Sequence, residues 1–405
     1  MKLQKNQIVS LLPGTYLVRD LEKEISQYLN TEEVLILYGA RQVGKSSMVL
    51  HLAQQLIHKM PIYYYNLDQV DQSDIQSADR LLAALQEDLR SAPQTLLILD
   101  EAQRVTNIGL LIKQVYDKKL PLKIILTGSA SFAIKSQISE PLTGRKFEFH
   151  LTPFTLSEIF RYHQLAPRST DQPTAQLDQI LHDYMLYGGY PNVFFTPDLN
   201  LKSKRLTEIV QSYITRDLVA LFNISDVSAT KKVTSYVADN IGNLLSIDKI
   251  TSLGGLKRDL VQKILEALEL TFVCLTIPPL STSKMREVAK RPKIYFHDPG
   301  LRNAFLGKLD ENLLISDLGA LFENIIAIQL YSHLVASRLY YWRTINQTEV
   351  DFVIKHTKQG ILGVETKYQW ESNNYPKSLV QFMSQYQAKG MVIDAQSYWK
   401  FLELL

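Results

Sequence analysis

Gly39-Ala40-Arg41-Gln42-Val43-Gly44-Lys45-Ser46 decides the fold of the first part of this chain. It meets every fixed position of the Gly-x4-Gly-Lys-Ser/Thr phosphate-binding loop, a motif that has meaning only between a strand and a helix. Its flanks supply both. Val34-Leu35-Ile36-Leu37-Tyr38 is an apolar run that predicts a buried strand. Ser47 to about Lys59 predicts a helix with Met48, Leu52, Leu56 and Ile57 on its apolar side. Gly39 and Gly44 let the backbone curl so that successive N–H groups point at phosphate oxygens. The helix N-terminus adds partial positive charge. The nucleotide-binding candidates are therefore Gly39, Ala40, Arg41, Gln42, Val43, Gly44, Lys45, Ser46 and Ser47. Lys45 would reach the β- and γ-phosphates, and the Ser46 hydroxyl would ligate Mg²⁺.

A second motif follows. Thr95-Leu96-Leu97-Ile98-Leu99 ends in Asp100-Glu101. An aspartate at a strand end suits a Walker B role, holding Mg²⁺ directly or through water. Glu101, one residue on, is placed to polarise the water that attacks the γ-phosphate. The strand predicted over Pro61–Leu67 lies between the two motifs in sequence. Lys123-Ile124-Ile125-Leu126-Thr127-Gly128-Ser129 predicts a further strand ending in hydroxyls. Thr127 or Ser129 would sense the γ-phosphate or orient the water; strand-end hydroxyls also serve ordinary turns.

GARQVGKSS, LLILDEAQ, IILTGSA and Leu142-Thr143-Gly144-Arg145-Lys146, in that order, resemble the AAA-type ATPases that carry a C-terminal domain of uncharacterised function. Later segments extend the resemblance over most of the chain. They are Leu151-Thr152-Pro153-Phe154-Thr155-Leu156-Ser157-Glu158, Tyr187-Gly188-Gly189-Tyr190-Pro191, Tyr341-Trp342-Arg343 and Glu349-Val350-Asp351-Phe352. The resemblance implies ATP and Mg²⁺ as cofactors and a helical lid after the ATPase core. It supplies a fold more readily than a substrate. Arg145 precedes the strand Phe147–Leu151 and is the candidate to reach a γ-phosphate, in its own subunit or a neighbour's. The alternative for Arg145 is a surface charge or a salt bridge.

Composition bounds the remainder. The 405 residues suffice for two or three domains with real cores, and 46% apolar with 21% charged residues is ordinary for a folded chain. A net charge of +3 neither demands nor forbids nucleic acid. Cys274 is the only cysteine, which excludes an intramolecular disulfide and a cysteine-based zinc site. No apolar run approaches the roughly 20 residues of a membrane span, so the expectation is no membrane partner and a cytoplasmic location.

Four domains are expected: a parallel α/β ATPase core over 1–155, a helical lid over 156–225, a winged helix over 226–298 and a C-terminal domain over 299–405. The winged-helix expectation rests on helices near Ser228–Asn240, Asp248–Ser252 and Leu256–Leu270. Wing strands at Phe272–Ile277 and Lys293–His297 follow, joined by the basic loop Ser281–Arg291. Lys257, Arg258, Gln262 and Lys263 would face a DNA groove or simply solvate an outward face. Glu266 and Glu269 dilute their charge, which favours protein docking or regulation.

From about 311 the predicted order is helix, several strands, helix, strand, which looks like the PD-(D/E)xK nuclease fold. Alternate residues of a strand share a face, so Glu365 and Lys367 point together and Thr366 points away. A neighbouring strand brings Asp351 beside Glu365, and two carboxylates there would hold Mg²⁺. Lys367 would assist a water attacking a phosphodiester, and Glu323 would complete the outer shell. Glu-x-Lys alone also marks any wet strand face. Trp342-Arg343 would stack on a base or form a core aromatic beside a surface cation.

The expected protein is an ATP-hydrolysing switch whose nucleotide state controls its winged-helix and nuclease-like modules, with a protein partner; monomer and homo-oligomer both stay open. The alternatives are an ATP-regulated DNA or RNA nuclease and an ATP-binding scaffold that docks a partner protein.

Overall fold

Four apolar runs and the alternating Lys-Phe-Glu-Phe-His segment form five parallel strands: β1 (Val34–Tyr38), β2 (Ile62–Asn66), β3 (Thr95–Asp100), β4 (Leu122–Gly128) and β5 (Lys146–His150). Their order across the sheet is β2-β3-β4-β1-β5, and every neighbouring pair is parallel. Strands β1 to β4 are buried along nearly their whole length, as parallel strands covered by helices on both faces must be. β2 follows β1 in sequence but lies at the sheet edge. β4, later in sequence, separates β1 from β3.

In this computed structural model the described residues are 2–69, 75–128, 141–165, 175–214, 218, 224–281, 291–310, 315–334, 339–356, 360–372 and 374–402. Ser129, the loop Pro167–Pro173 and positions 282–290 of the basic loop lie outside them. The chain divides into two compact units, Met1–Thr152 and Pro153–Leu405. No described helix is long and apolar enough to cross a membrane.

The second unit opens with helices Leu156–Tyr162, Ala175–Tyr187, Pro191–Phe194 and Leu199–Ser212. Thr155 caps the first with a capping box to Glu158, and Asp198 caps the last. Helices Val227–Asp239, Ile247–Gly254 and Arg258–Leu270 follow, then an antiparallel hairpin of β6 (Cys274–Ile277) and β7 (Lys293–Phe296). Cys274 is buried in that hairpin. After helices Pro299–Leu306 and Leu318–His333 come β8 (Leu339–Arg343), β9 (Glu349–His356), β10 (Gly360–Lys367), helix Lys377–Tyr386 and β11 (Lys389–Asp394). The sheet order is β11-β10-β9-β8; β10 and β11 are parallel and the other pairs antiparallel.

Trp342 belongs to the core of this sheet. It is buried with Val350, Val353, Leu379 and Phe382, its ring 5.4 Å from that of Phe382. It is therefore the core aromatic, not a base-stacking surface.

The segment Tyr187–Pro191 has a packing explanation. A Cβ on Gly188 would lie 2.2 Å from Asp298 Oδ1, and one on Gly189 would lie 2.1 Å from the Phe154 carbonyl oxygen. The buried Asp298 carboxylate accepts from the Gly189 N–H (2.7 Å) and, as helix cap, from the Leu301 N–H (2.7 Å). Two glycines are needed because any side chain would displace this carboxylate or the backbone beside it.

Candidate nucleotide site and carboxylate cluster

The phosphate loop joins β1 to the helix Lys45–Leu56. Gly44 caps that helix in the left-handed region (φ 96°, ψ 24°), and Gln42 also has positive φ. The first-turn N–H groups have no partner within the helix, which is the source of its anion affinity. A Cβ on Gly39 would stand 2.1 Å from the Leu151 carbonyl oxygen, so the loop can start there only with glycine. Lys45 is 4% exposed, and its Nζ donates to the carbonyls of Gly39 (3.0 Å) and Ala40 (2.9 Å). Ser46 and Ser47 are partly buried in the first turn.

A residue not singled out in the sequence braces this loop. Arg19 is buried and donates through Nη1 to the Val43 carbonyl (3.1 Å) and through Nη2 to the Thr152 carbonyl (2.7 Å). A lone arginine in Leu17-Val18-Arg19-Asp20 carries no sequence signal that separates it from a surface charge.

Asp100 ends β3 fully buried. Its Oδ2 accepts from the Tyr64 hydroxyl of β2 at 2.7 Å, and its Oδ1 accepts from the Thr127 hydroxyl of β4. Burial and the Asp100 charge push Tyr64 well above the ordinary tyrosine value, so it remains a donor. Thr127 Oγ1 in turn accepts from the Glu101 N–H at 3.1 Å. Its described bonds orient the two acidic residues. Glu101 is in the left-handed region (φ 60°, ψ 44°), and Gln103 Nε2 donates to its Oε2. The strand order thus brings Asp100, Glu101 and Thr127 together at the C-terminal strand ends, the edge from which the phosphate loop also leaves β1.

Arg145 is not part of that group. Its carbonyl accepts from the Val34 N–H at 2.9 Å, so it lies at the start of β1, five residues before the loop. That separation is about 16 Å along the strand. Its side chain instead pairs with Asp117 (Nε to Oδ1, 3.3 Å) beside the Tyr116 ring. The expectation that Arg145 reaches a γ-phosphate in its own subunit is corrected by the sheet: it occupies the opposite strand edge.

In the second unit Glu323, Asp351, Glu365 and Lys367 do come together, but not as a solvent-open site. Asp351 is 9% and Glu365 5% exposed. Asp351 Oδ2 accepts from both the N–H and the hydroxyl of Thr366, each at 2.9 Å, so Thr366 engages the cluster at the end of the strand pairing. Lys367 Nζ donates to Glu365 Oε1 at 3.0 Å.

The unforeseen member is Lys293 of β7. Its Nζ lies 2.6 Å from Glu349 Oε1, 3.0 Å from Glu323 Oε1 and 3.3 Å from Asp351 Oδ1. Tyr295 donates to Glu323 Oε1 at 2.6 Å, and Arg343 pairs with Glu349 Oε2 at 2.9 Å. Burial would lower the Lys293 value, but Tyr295 and the surrounding carboxylates outweigh it and hold the ammonium well above the ordinary lysine value. Burial, then Asp351, push Glu323 up to about 7 against the pull of Lys293. Burial and Asp351 likewise push Glu365 up to about 7, against Lys367 and Lys293.

The first unit is an α/β fold whose five-stranded parallel sheet has the strand order of P-loop ATPases. Residues 31–160 match a family described as an AAA domain. Residues 178–312 and 318–398 match two domain families of unknown function, DUF8612 and DUF4143.

Among curated proteins, an uncharacterized protein of Haemophilus influenzae is 24% identical over 367 residues, covering 87% of each chain. An uncharacterized protein of Mycobacterium tuberculosis is 24% identical over 343 residues, covering 83% of this chain and 71% of its own. One of Methanocaldococcus jannaschii is 23% identical over 374 residues, covering 89% and 81%. Among solved structures, the replication initiator DnaA bound to AMPPCP and single-stranded DNA is similar at a TM-score of 0.32 and 15% identity. That match covers 63% of this chain and 90% of that one.

Proposed function

We propose that the protein binds ATP and hydrolyses it with Mg²⁺, and that nucleotide state controls the modules of its second unit. The observation that carries this reading is the convergence of a complete phosphate loop with Asp100, Glu101 and Thr127 at one strand edge. The chemistry of the donor set fits the cofactor. Gly39 to Ser47 would receive the phosphates on backbone N–H groups, and Lys45 would exchange its loop carbonyls for phosphate oxygens. Ser46 and Asp100 would hold Mg²⁺, which neutralises charge on the phosphates. Glu101, held by Gln103 and by its N–H bond to Thr127, would take the proton of the attacking water.

For Arg145 the remaining phosphate role is in a neighbouring copy, which makes a homo-oligomer part of the reading. The three helices and the β6–β7 hairpin support a winged helix used for docking a protein. Arg258 is paired with Asp248, and the other exposed charges from the Lys257 cap along the helix are Asp259, Lys263, Glu266 and Glu269. Together they offer little net charge to a phosphate backbone.

Lys45→Ala should abolish hydrolysis and weaken nucleotide binding, measured by phosphate release and calorimetric titration. Wild-type turnover and affinity in a folded variant would end the nucleotide-site assignment. Tight ATP binding by wild type without turnover would favour the scaffold.

A further inference from the structure

We propose that the Glu323, Glu349, Asp351 and Glu365 cluster holds no divalent metal, and that the Lys293 ammonium is its cation, locking the β6–β7 hairpin onto the C-terminal sheet. This inference is independent of the ATPase reading.

Lys293 Nζ donates to Glu323 Oε1 (3.0 Å) and Asp351 Oδ1 (3.3 Å) and is ion-paired with Glu349 Oε1 at 2.6 Å, so three carboxylates already share one buried ammonium. Its side chain is 2% exposed, which leaves water no access to replace those partners. The remaining oxygen of Asp351 is taken by two donors from Thr366. Mg²⁺ needs about six oxygens near 2.1 Å and keeps several waters. A dication at that distance from Asp351 Oδ1 would stand against an ammonium that is itself 3.3 Å away. Both Asp351 oxygens are therefore engaged, and Glu365 Oε2, buried without a hydrogen-bond partner among the described residues, is left as a single oxygen, too few to hold a dication.

The lysine is also anchored along its backbone. Lys293 pairs with Ile277 across the hairpin and bridges to Leu244, and the Gly242 N–H donates to the Ile294 carbonyl at 2.8 Å. The chain leaving β6 is tied to β8: Leu280 N–H donates to the Tyr341 carbonyl (2.6 Å), and Tyr341 N–H donates to the Pro278 carbonyl (3.0 Å). Lys293 thus joins elements from three parts of the chain: the hairpin, the helix Leu318–His333 and β9. Removing one partner of a buried ion pair leaves charge without a counter-charge and is strongly destabilising, whereas removing both partners is better tolerated.

The test uses the full chain without nucleotide. Mn²⁺ binding is followed by electron paramagnetic resonance, and thermal unfolding is measured for wild type, Asp351→Asn, Lys293→Met and the double variant. Wild type and Asp351→Asn should bind the same number of Mn²⁺ ions with the same affinity. A wild-type Mn²⁺ site that Asp351→Asn removes overturns the proposal. Lys293→Met should lower the unfolding temperature, and adding Asp351→Asn should recover part of that loss. A Lys293→Met protein as stable as wild type would also overturn it. If Lys293→Met does not fold and the double variant does, the lock is supported. If neither folds, the comparison of wild type with Asp351→Asn decides.

Discussion

Glu101 sits in the left-handed backbone region (φ 60°), where a residue with a side chain costs on the order of 1–3 kcal/mol. The bonds to Thr127 and Gln103 hold it there. On the ATPase reading, Glu101→Gln should keep MgATP binding and slow turnover at least ~100-fold. Steady-state phosphate release beside ATP affinity checks this; near-normal turnover would assign the water to another residue.

Asp298 makes a different kind of prediction. Burial pushes its carboxyl up to about 7, opposed by the N–H groups of Gly189, Leu301 and Gly300. The folded value is raised above the unfolded one, so its contribution is greatest at low pH and is lost as pH rises toward about 7. Glu323 and Glu365 act with the same sign. Unfolding of the second unit should therefore show a higher midpoint near pH 6 than at pH 8, and Asp298→Asn should shallow that slope. The buried His297, lowered to about 3 by burial, acts with the opposite sign, so the test is the difference between wild type and Asp298→Asn; an unchanged slope in that variant would contradict the burial argument.

At the scale of elements, β4 is the spacer that assembles the candidate nucleotide site. It separates β1 from β3 and inserts the Thr127 hydroxyl between Asp100 and the Glu101 N–H. Thr127→Val keeps the strand's shape and removes both bonds. Loss of such an outer partner typically costs 10–100-fold. Turnover should fall by about that factor while unfolding temperature changes little. A fall in stability equal to that of a core truncation, with turnover per folded molecule unchanged, would reduce Thr127 to a packing residue.

At the scale of the whole molecule, the position of Arg145 turns a residue question into an assembly question. Its own loop lies at the other end of β1, so a phosphate role requires a second copy. Arg145→Ala should then lower turnover more than ATP affinity, because such an arginine meets charge that develops in the transition state. Mixing it with Lys45→Ala should recover activity, since each copy supplies what the other lacks. No recovery at any ratio would leave the pair with Asp117 as its whole role.

What the sequence determined by itself is what depends on near neighbours. The phosphate loop, the strand-end carboxylates and the order of helices and strands follow from local periodicity, glycines and caps, so they were legible before any contact was known. Asp351 and Glu365 were also legible as positions on strands, because alternation along β10 and pairing with β9 place Glu365 near Asp351. What only the tertiary structure decided is which charges meet across long separations. Lys293 lies 58 residues from Asp351, and Arg19 lies 133 from Thr152. Arg145 is 28 residues from Asp117, its ion-pair partner. The physical reason is that burial makes a charge costly unless a partner stands beside it. Partner identity is set by how strands and helices pack, and no local pattern around a single lysine or arginine records it.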